Sequence, residues 1–234
     1  MPRKCGHRDT IHPMSWNTEL LPDPLPDNPL ITAARWLEEG WQARHEPNPN
    51  AMALATVNAA GAPSVRIVLC KDIVPEPGYL MFYTNYHSRK GEELAGNSHA
   101  AVVLHWDHQH RQLRVEGTVT RTSEAESDAY FATRTQASAV GAWASEQSRP
   151  IASRTLLEQA VARERARLNP QGSPTAVIPR PPHWGGYRLW AEAVELWVEG
   201  ASRIHDRARW TRPLGAASAG GFSPGPWRAT RLQP

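Results

Sequence analysis

Arg66-Ile67-Val68-Leu69-Cys70-Lys71 and, much later in the chain, Arg203-Ile204-His205-Asp206-Arg207 set cations inside apolar, strand-like sequence. An unpaired charge in such surroundings costs several kcal/mol, so a chain that does this twice has an anion to bind. Further cations and hydroxyls lie between them, at Tyr83-Thr84, Ser88-Arg89-Lys90, Tyr130-Phe131-Ala132-Thr133-Arg134 and Gln147-Ser148. Together they suggest a phosphate-bearing cofactor and a phosphate-bearing substrate held by a small β-barrel.

The segments around this stretch support the barrel. Residues 1–27 are polar and Pro-rich, an extended and flexible arm in which Pro blocks helix and sheet donors alike. Residues 28–234 hold the remaining elements. Asn28-Pro29 pairs an N-cap with Pro at the first helical position, and Leu30, Ala33, Ala34, Leu37 and Trp41 continue at helical spacing to about Arg44. Strands are expected over 51–57, 64–71, 79–84, 100–106 and 112–120, with turns at Asn58–Pro63 and Pro75–Gly78. Ser88 caps a short helix ending at Gly96. Short strands with turns at this spacing point to an antiparallel barrel and not to a βαβ sheet.

Downstream, Ser123-Glu124-Ala125-Glu126 is a capping box that starts a helix running to about Arg134. Gly141-Ala142-Trp143-Ala144-Ser145 is read as an interruption. Pro150 begins a longer helix to Leu168, with Ile151, Leu156, Leu157, Val161 and Leu168 on its apolar side. Strand-like sequence returns at 186–190, 194–198, 202–210 and 227–232, the last two separated by a small-residue loop at 214–226.

A chain of 234 residues buries one sizeable core or two small ones. Its net charge of +3 is too small to imply nucleic acid unless the cations cluster. Ten tryptophans serve either packing or stacking on a flat ring. The two cysteines, Cys5 and Cys70, have no metal-like spacing and suit a reduced, cytoplasmic compartment. No apolar run reaches the ~20 residues of a membrane helix, and the N-terminus shows no secretory signal. His105-Trp106-Asp107-His108-Gln109-His110 is read as a polar hairpin tip in preference to a metal site.

Period-two alternation puts Arg203, His205 and Arg207 on one face of a strand, either a solvated face or a cationic wall over a ligand. Arg66 shares a face with Val68 and Cys70, so Lys71 reaches the same ligand only where the strand ends or bulges. Ser88-Arg89-Lys90 adds a helix N-terminus, whose free N–H groups favour an anion. Tyr130, Arg134 and Ser138 recur four apart, and helical spacing would align the first two for a second phosphate.

The runs Arg66–Lys71, Phe82-Tyr83-Thr84-Asn85, Ser88–Lys90, Gly141–Ser148, His183-Trp184-Gly185-Gly186 and Arg203–Arg207 resemble, in order, the successive motifs of the pyridoxine/pyridoxamine 5′-phosphate oxidase family. The resemblance covers about residues 28–234. It implies an α+β chain that is mainly β, an antiparallel FMN-binding split β-barrel of Greek-key type, working as a homodimer with sites at the interface. By matching position, FMN is met by Arg66, Ile67, Val68, Leu69, Lys71, Tyr83, Thr84, Arg89, Lys90, Gln112, Gln147, Ser148, Trp197 and Arg207, partly from the second subunit. The substrate phosphate is met by Lys71, Tyr130, Arg134 and Ser138, while Arg203 and His205 lie over the substrate ring as the catalytic pair. The implied reaction oxidises pyridoxamine or pyridoxine 5′-phosphate to pyridoxal 5′-phosphate, with oxygen as acceptor and hydrogen peroxide released. No metal, nucleic acid or membrane partner is implied.

The chain departs from the family pattern in places. The arm has no Tyr, Cys70 replaces an aliphatic residue, Arg114 stands where an apolar residue is commoner, and the loop at 212–226 is long. Three other readings compete. One is a phenazine-type flavin oxidase on the same scaffold; another is a flavin or pyridoxal-phosphate carrier without turnover. The third is a nucleic-acid module, which the dispersed cations disfavour.

Overall fold

The computed structural model describes residues 19–217 and 221–234; residues 1–18 of the arm, with Cys5, and residues 218–220 lie outside them. Asn28 caps the first helix, α1 (Pro29–Ala43), by accepting the Leu30 N–H, and the helix closes on Arg44 in the left-handed region. Leu30, Ala33, Trp36 and Leu37 bury its apolar stripe. The described end of the arm is anchored to the domain. Leu21 is buried, its N–H donates to Asp206, and Pro26 O accepts from Trp210 Nε1.

Strands β1 (Ala51–Val57), β2 (Pro63–Leu69), β3 (Asp72–Val74), β4 (Tyr79–Asn85), β5 (His99–Trp106) and β6 (Arg111–Arg121) follow, with α2 (Arg89–Gly96) between β4 and β5. Then come α3 (Glu124–Ala132), α4 (Gln136–Ala144), α5 (Arg154–Leu168), β7 (Trp184–Val198), β8 (Asp206–Thr211), β9 (Leu214–Ala216), β10 (Phe222–Pro224) and β11 (Arg228–Leu232). All pairings are antiparallel, in the order β11-β8-β7-β6-β5-β1-β2, with β4 joining β7 to β3. Trp36, Trp106, Trp210, Phe82, Leu54, Leu104, Leu113 and Leu196 are fully buried in the main core. Phe131, Ala139, Val140, Ile178 and Trp184 form a second cluster under the helices.

Several expectations need correction. The stretch from Gly141 to Ser145 is no interruption: α4 runs through it to Ala144. Thr135 caps α4, and burial of Ala139 and Val140 outweighs the ~1 kcal/mol that an internal glycine costs. Helix α5 starts at Arg154, not Pro150, because Ser153 accepts the Leu156 N–H. Its expected apolar side is only partly used: Val161 and Leu168 pack on the second cluster, while Ile151 and Leu156 are exposed. The loop at 214–226 contains the β9–β10 hairpin.

Two strands expected from Gly186 to Val198 are one. The first half of β7 pairs with β4 and the second half with β8, and the β6–β7 register shifts between Glu116 and Gly117. A Cβ on Gly117 would overlap the Trp190 carbonyl oxygen. Gly117→Ala should therefore cost about 2 kcal/mol, as overpacking against a strand that cannot yield does. Urea unfolding of the two proteins measures this; equal midpoints would show that the bulge relaxes.

Candidate active site

One group of predicted residues gathers beside α2. Arg66 faces inward with Ser64 and Val68, and its guanidinium donates to Leu54 O (3.2 Å), Thr56 Oγ1, Ser64 Oγ and Glu93 Oε2 (3.2 Å). Glu93 also accepts from Arg89 Nε (2.9 Å), Ser64 Oγ (2.6 Å) and Thr56 Oγ1. Burial alone would raise its pKa, but those hydrogen bonds and the charge on Arg66 hold it down at about 2.

Ser88 caps α2, and Lys90 Nζ, buried, donates to Ser88 Oγ (3.0 Å) and Gln147 Oε1 (2.7 Å). Burial and then the Arg66 charge lower the Lys90 pKa to about 8. Thr84 Oγ1 lies 3.4 Å from the same Gln147 oxygen. Gly91 admits this packing, since a Cβ there would overlap Tyr86 O. Arg66, Thr84, Arg89, Lys90 and Gln147 thus form one cationic pole with a helix N-terminus. Ser148 follows at φ 75°. Strand β2 pairs only with β1 among the described residues, so the backbones of Ile67, Val68 and Leu69 run along an open edge.

A second pole lies around the α3–α4 turn. Strand β2 ends at Leu69, and Lys71 N–H donates to Met81 O, which frees the Lys71 side chain from strand alternation. Its Nζ sits 5.7 Å from the Tyr130 ring centre. The Tyr130 ring stacks on Tyr83 at 3.9 Å, and Trp184 lies parallel beside the pair, 5.6 Å from Tyr83 and 6.1 Å from Tyr130.

Tyr130 and Arg134 do not share a helix face, because α3 ends at Ala132 where Thr133 Oγ1 turns back to Tyr130 O. Arg134 instead lies over the Trp184 ring at 4.8 Å and donates to Ser138 O at 3.1 Å. Its Nε is buried without a partner. A buried guanidinium N–H left over near Tyr130 fits an anion such as a phosphate.

The third group is on the far strands. Cross-strand register places Gln112, Trp197 and Arg207 side by side. Arg207 donates through Nε (3.1 Å) and Nη2 (2.8 Å) to Glu195 Oε1, and Glu195 Oε2 accepts from Arg114 (3.1 Å). The expected alternation of Arg203, His205 and Arg207 along one strand fails. Residues Ala201–Arg203 form a 3-10 turn with Ser202 and Arg203 at φ 55° and 63°, and β8 starts only at Asp206. Gly200 is required there, since a Cβ would overlap Ile204 O.

The turn brings the His205 ring to 4.7 Å from Trp197. His205 Nδ1 accepts the Gly200 N–H at 3.2 Å, so the neutral ring carries its proton on Nε2. Among the described residues, no hydrogen bond, ion pair or ring contact joins this group to either pole. Of the residues read as a hairpin tip, His105 and Trp106 belong to β5, with Trp106 buried in the core, and the tip itself is the 3-10 turn Asp107–Gln109 with His110. Sequence reasoning missed Glu93, Thr56, Ser64 and Glu195. Only the four-residue spacing of Arg89 and Glu93 signalled any of them.

The open face of the sheet changes character across its width. On β2, Val65 and Ile67 are 68% and 64% exposed. Register continues this face through Ala53 and Ala55 on β1 to Ala101 and Val103 on β5. It ends in the Arg114–Glu195–Arg207 and Arg209–Glu116 ion pairs on β6, β7 and β8.

Residues 39–167 match the pyridoxamine 5′-phosphate oxidase family, and residues 184–234 match the pyridoxine 5′-phosphate oxidase C-terminal dimerisation region. Pyridoxine/pyridoxamine 5′-phosphate oxidase of Paraburkholderia phymatum is 49% identical over 207 residues, 88% of this chain and 89% of that protein. The protein of the same name from Cereibacter sphaeroides is 51% identical over 189 residues, 80% of this chain and 88% of that one. Among solved structures, PhzG of Burkholderia lata 383, in complex with tetrahydrophenazine-1-carboxylic acid, superposes with a TM-score of 0.78 at 29% identity, covering 93% and 99% of the two chains. The fold is the split barrel of these proteins, and the chain belongs to the pyridoxine/pyridoxamine 5′-phosphate oxidase family.

Proposed function

We propose that the protein is an FMN-dependent oxidase that converts pyridoxamine 5′-phosphate and pyridoxine 5′-phosphate to pyridoxal 5′-phosphate. The observation that carries this is the presence of two separate anion poles, one at α2 and one at the α3–α4 turn. A phosphorylated flavin and a phosphorylated substrate need two.

Arg66, Arg89, Lys90, Thr84, Gln147 and Ser148 would hold the flavin phosphate and side chain, with the open edge at Ile67–Leu69 alongside. Lys71, Tyr130, Arg134 and Ser138 would hold the substrate phosphate. Among the described residues Gln112, Trp197, Arg207, Arg203 and His205 are not joined to these poles, so a homodimer would complete each site from the partner. The apolar face of β1, β2 and β5 supports that assembly, as a patch of this kind marks an interface.

FMN, when bound, would supply the acceptor for the hydride leaving the substrate's C4′ carbon, with molecular oxygen reduced to hydrogen peroxide; for the amine substrate, water then enters at C4′ and ammonia leaves. The chain's own part is placement and charge. The substrate phosphate anchors one end of the ring at Arg134 and Lys71. Arg203 and the Nε2–H of His205 would orient and polarise the other. A reducing, cytoplasmic setting belongs to the same proposal; Cys70 is a buried free thiol whose pKa burial pushes up to about 12.

A second reading, oxidation of a phenazine-type ring, draws on the likeness to PhzG. The second pole favours the phosphorylated substrate, since Lys71, Tyr130, Arg134 and Ser138 offer more donors than the single carboxylate of such a ring would take. Peroxide and pyridoxal phosphate should both appear when the FMN-loaded protein is given either vitamer phosphate in air. Bound flavin without either product would end the vitamer-phosphate reading and favour another substrate or a carrier role. Arg134→Ala should raise KM for the phosphorylated substrate by about tenfold or more, the scale of one charge-assisted hydrogen bond, with FMN content unchanged. An unchanged KM would move the substrate phosphate elsewhere.

A further inference from the structure

Arg66 and Arg89 do not stand free in the α2 pole: both are tied to one carboxylate. Glu93 is 6% exposed and takes hydrogen bonds from Arg66, Arg89, Thr56 and Ser64. We propose that Glu93 is a positioning residue, holding the two arginines in the orientation in which a phosphate meets them, with Thr56 and Ser64 fixing Glu93 in turn. This rests on the reading of the α2 pole as the site of the flavin phosphate.

The donor count supports a positioning role. Arg89 gives Glu93 only its Nε, leaving both Nη groups for a ligand, and its side chain is 60% exposed. Among the described residues Glu93 is its one ion-pair partner. Without that tie, a long and mobile side chain would have to be ordered by the ligand itself, at a cost in rotamer entropy that weakens binding.

Arg66 is gripped on both Nη groups, and its charge already acts on Lys90. Three cations packed round one site repel one another, and a buried anion among them relieves this. Glu93 also repels a phosphate. That repulsion acts through two arginines that touch both, whereas loss of their orientation removes direct charge-assisted bonds, the larger effect.

The test is FMN and riboflavin binding to the cofactor-free protein, followed by flavin fluorescence. Riboflavin carries the same ring without the phosphate. Glu93→Gln keeps an acceptor for Thr56 and Ser64 but removes the charge. It should weaken FMN about tenfold, the loss of roughly one charged hydrogen bond, and leave riboflavin unchanged. FMN binding that is unchanged or tighter would overturn the proposal, as would equal weakening of both ligands.

Ser64→Ala is the milder variant and should lower the FMN-to-riboflavin preference about threefold, a weaker hydrogen bond's share. If Glu93→Gln does not fold by circular dichroism, that ratio decides, and an unchanged ratio rejects the role. Native protein that shows no preference for FMN over riboflavin would instead refute the phosphate assignment of the pole.

Discussion

Arg203→Ala is expected to lower turnover of pyridoxamine 5′-phosphate about a hundredfold and to leave the FMN content of the purified protein unchanged. The magnitude is that of removing one oriented charge from a reacting centre. The reason for sparing the flavin is positional. Arg203 lies in the 3-10 turn after β7, bonded to neither anion pole, whereas the residues proposed to hold the cofactor's phosphate belong to α2 and β2.

The backbone needs a control, because Arg203 sits at φ 63° and a Cβ there costs about 1–2 kcal/mol. Arg203→Gly relieves that strain and still lacks the guanidinium, so it should be as slow as the Ala variant. Recovery in the Gly variant would mean that the turn, not the charge, governs the rate. Loss of flavin in either variant would remove Arg203 from the substrate side of the site.

What the sequence disclosed follows the range of the interaction concerned. Local signals were clear: the Asn28-Pro29 cap, the Ser123–Glu126 capping box and the strand-like runs of β1 and β4 lie where the residues put them. The family motifs also marked most of the residues that the structure gathers into the two poles. The turn at Ala201–Arg203 was hidden, because positive φ at Ser202 and Arg203 carries no glycine signature and the alternating cations imitate a strand. Helix α4 was hidden by its glycine, though burial against Phe131 and Trp184 decides its state. Only its i,i+4 spacing from Arg89 pointed to Glu93, and its role was hidden because Thr56, Ser64 and Arg66 reach it across some thirty residues of chain.

Lys90→Met is expected to weaken FMN binding about a hundredfold, the usual scale for removing one partner of a desolvated ion pair. The native protein offers a second and independent signature. In the cofactor-free protein burial and Arg66 set the Lys90 pKa at about 8, so the lysine is charged below that pH and neutral above it. A phosphate beside Nζ favours the charged form and raises that pKa on binding. Binding therefore takes up a proton above pH 8, and Kd should rise by up to tenfold per pH unit there while staying flat between about pH 6.5 and 7.5.

The lower limit avoids the second ionisation of the phosphate itself, near pH 6. The same linkage has the opposite consequence for the cofactor-free fold. Its Lys90 pKa is depressed below the unfolded value of 10.5, so between about 8 and 10.5 the unfolded chain holds a proton that the folded chain has shed. This contribution to stability thus grows as pH rises through that window. A Lys90→Met protein should lose both slopes. Equilibrium titrations with FMN at about pH 7, 8 and 9 on the two proteins would measure the first. A native Kd that does not rise with pH, or a slope that survives in Lys90→Met, would show that the buried lysine does not meet the phosphate.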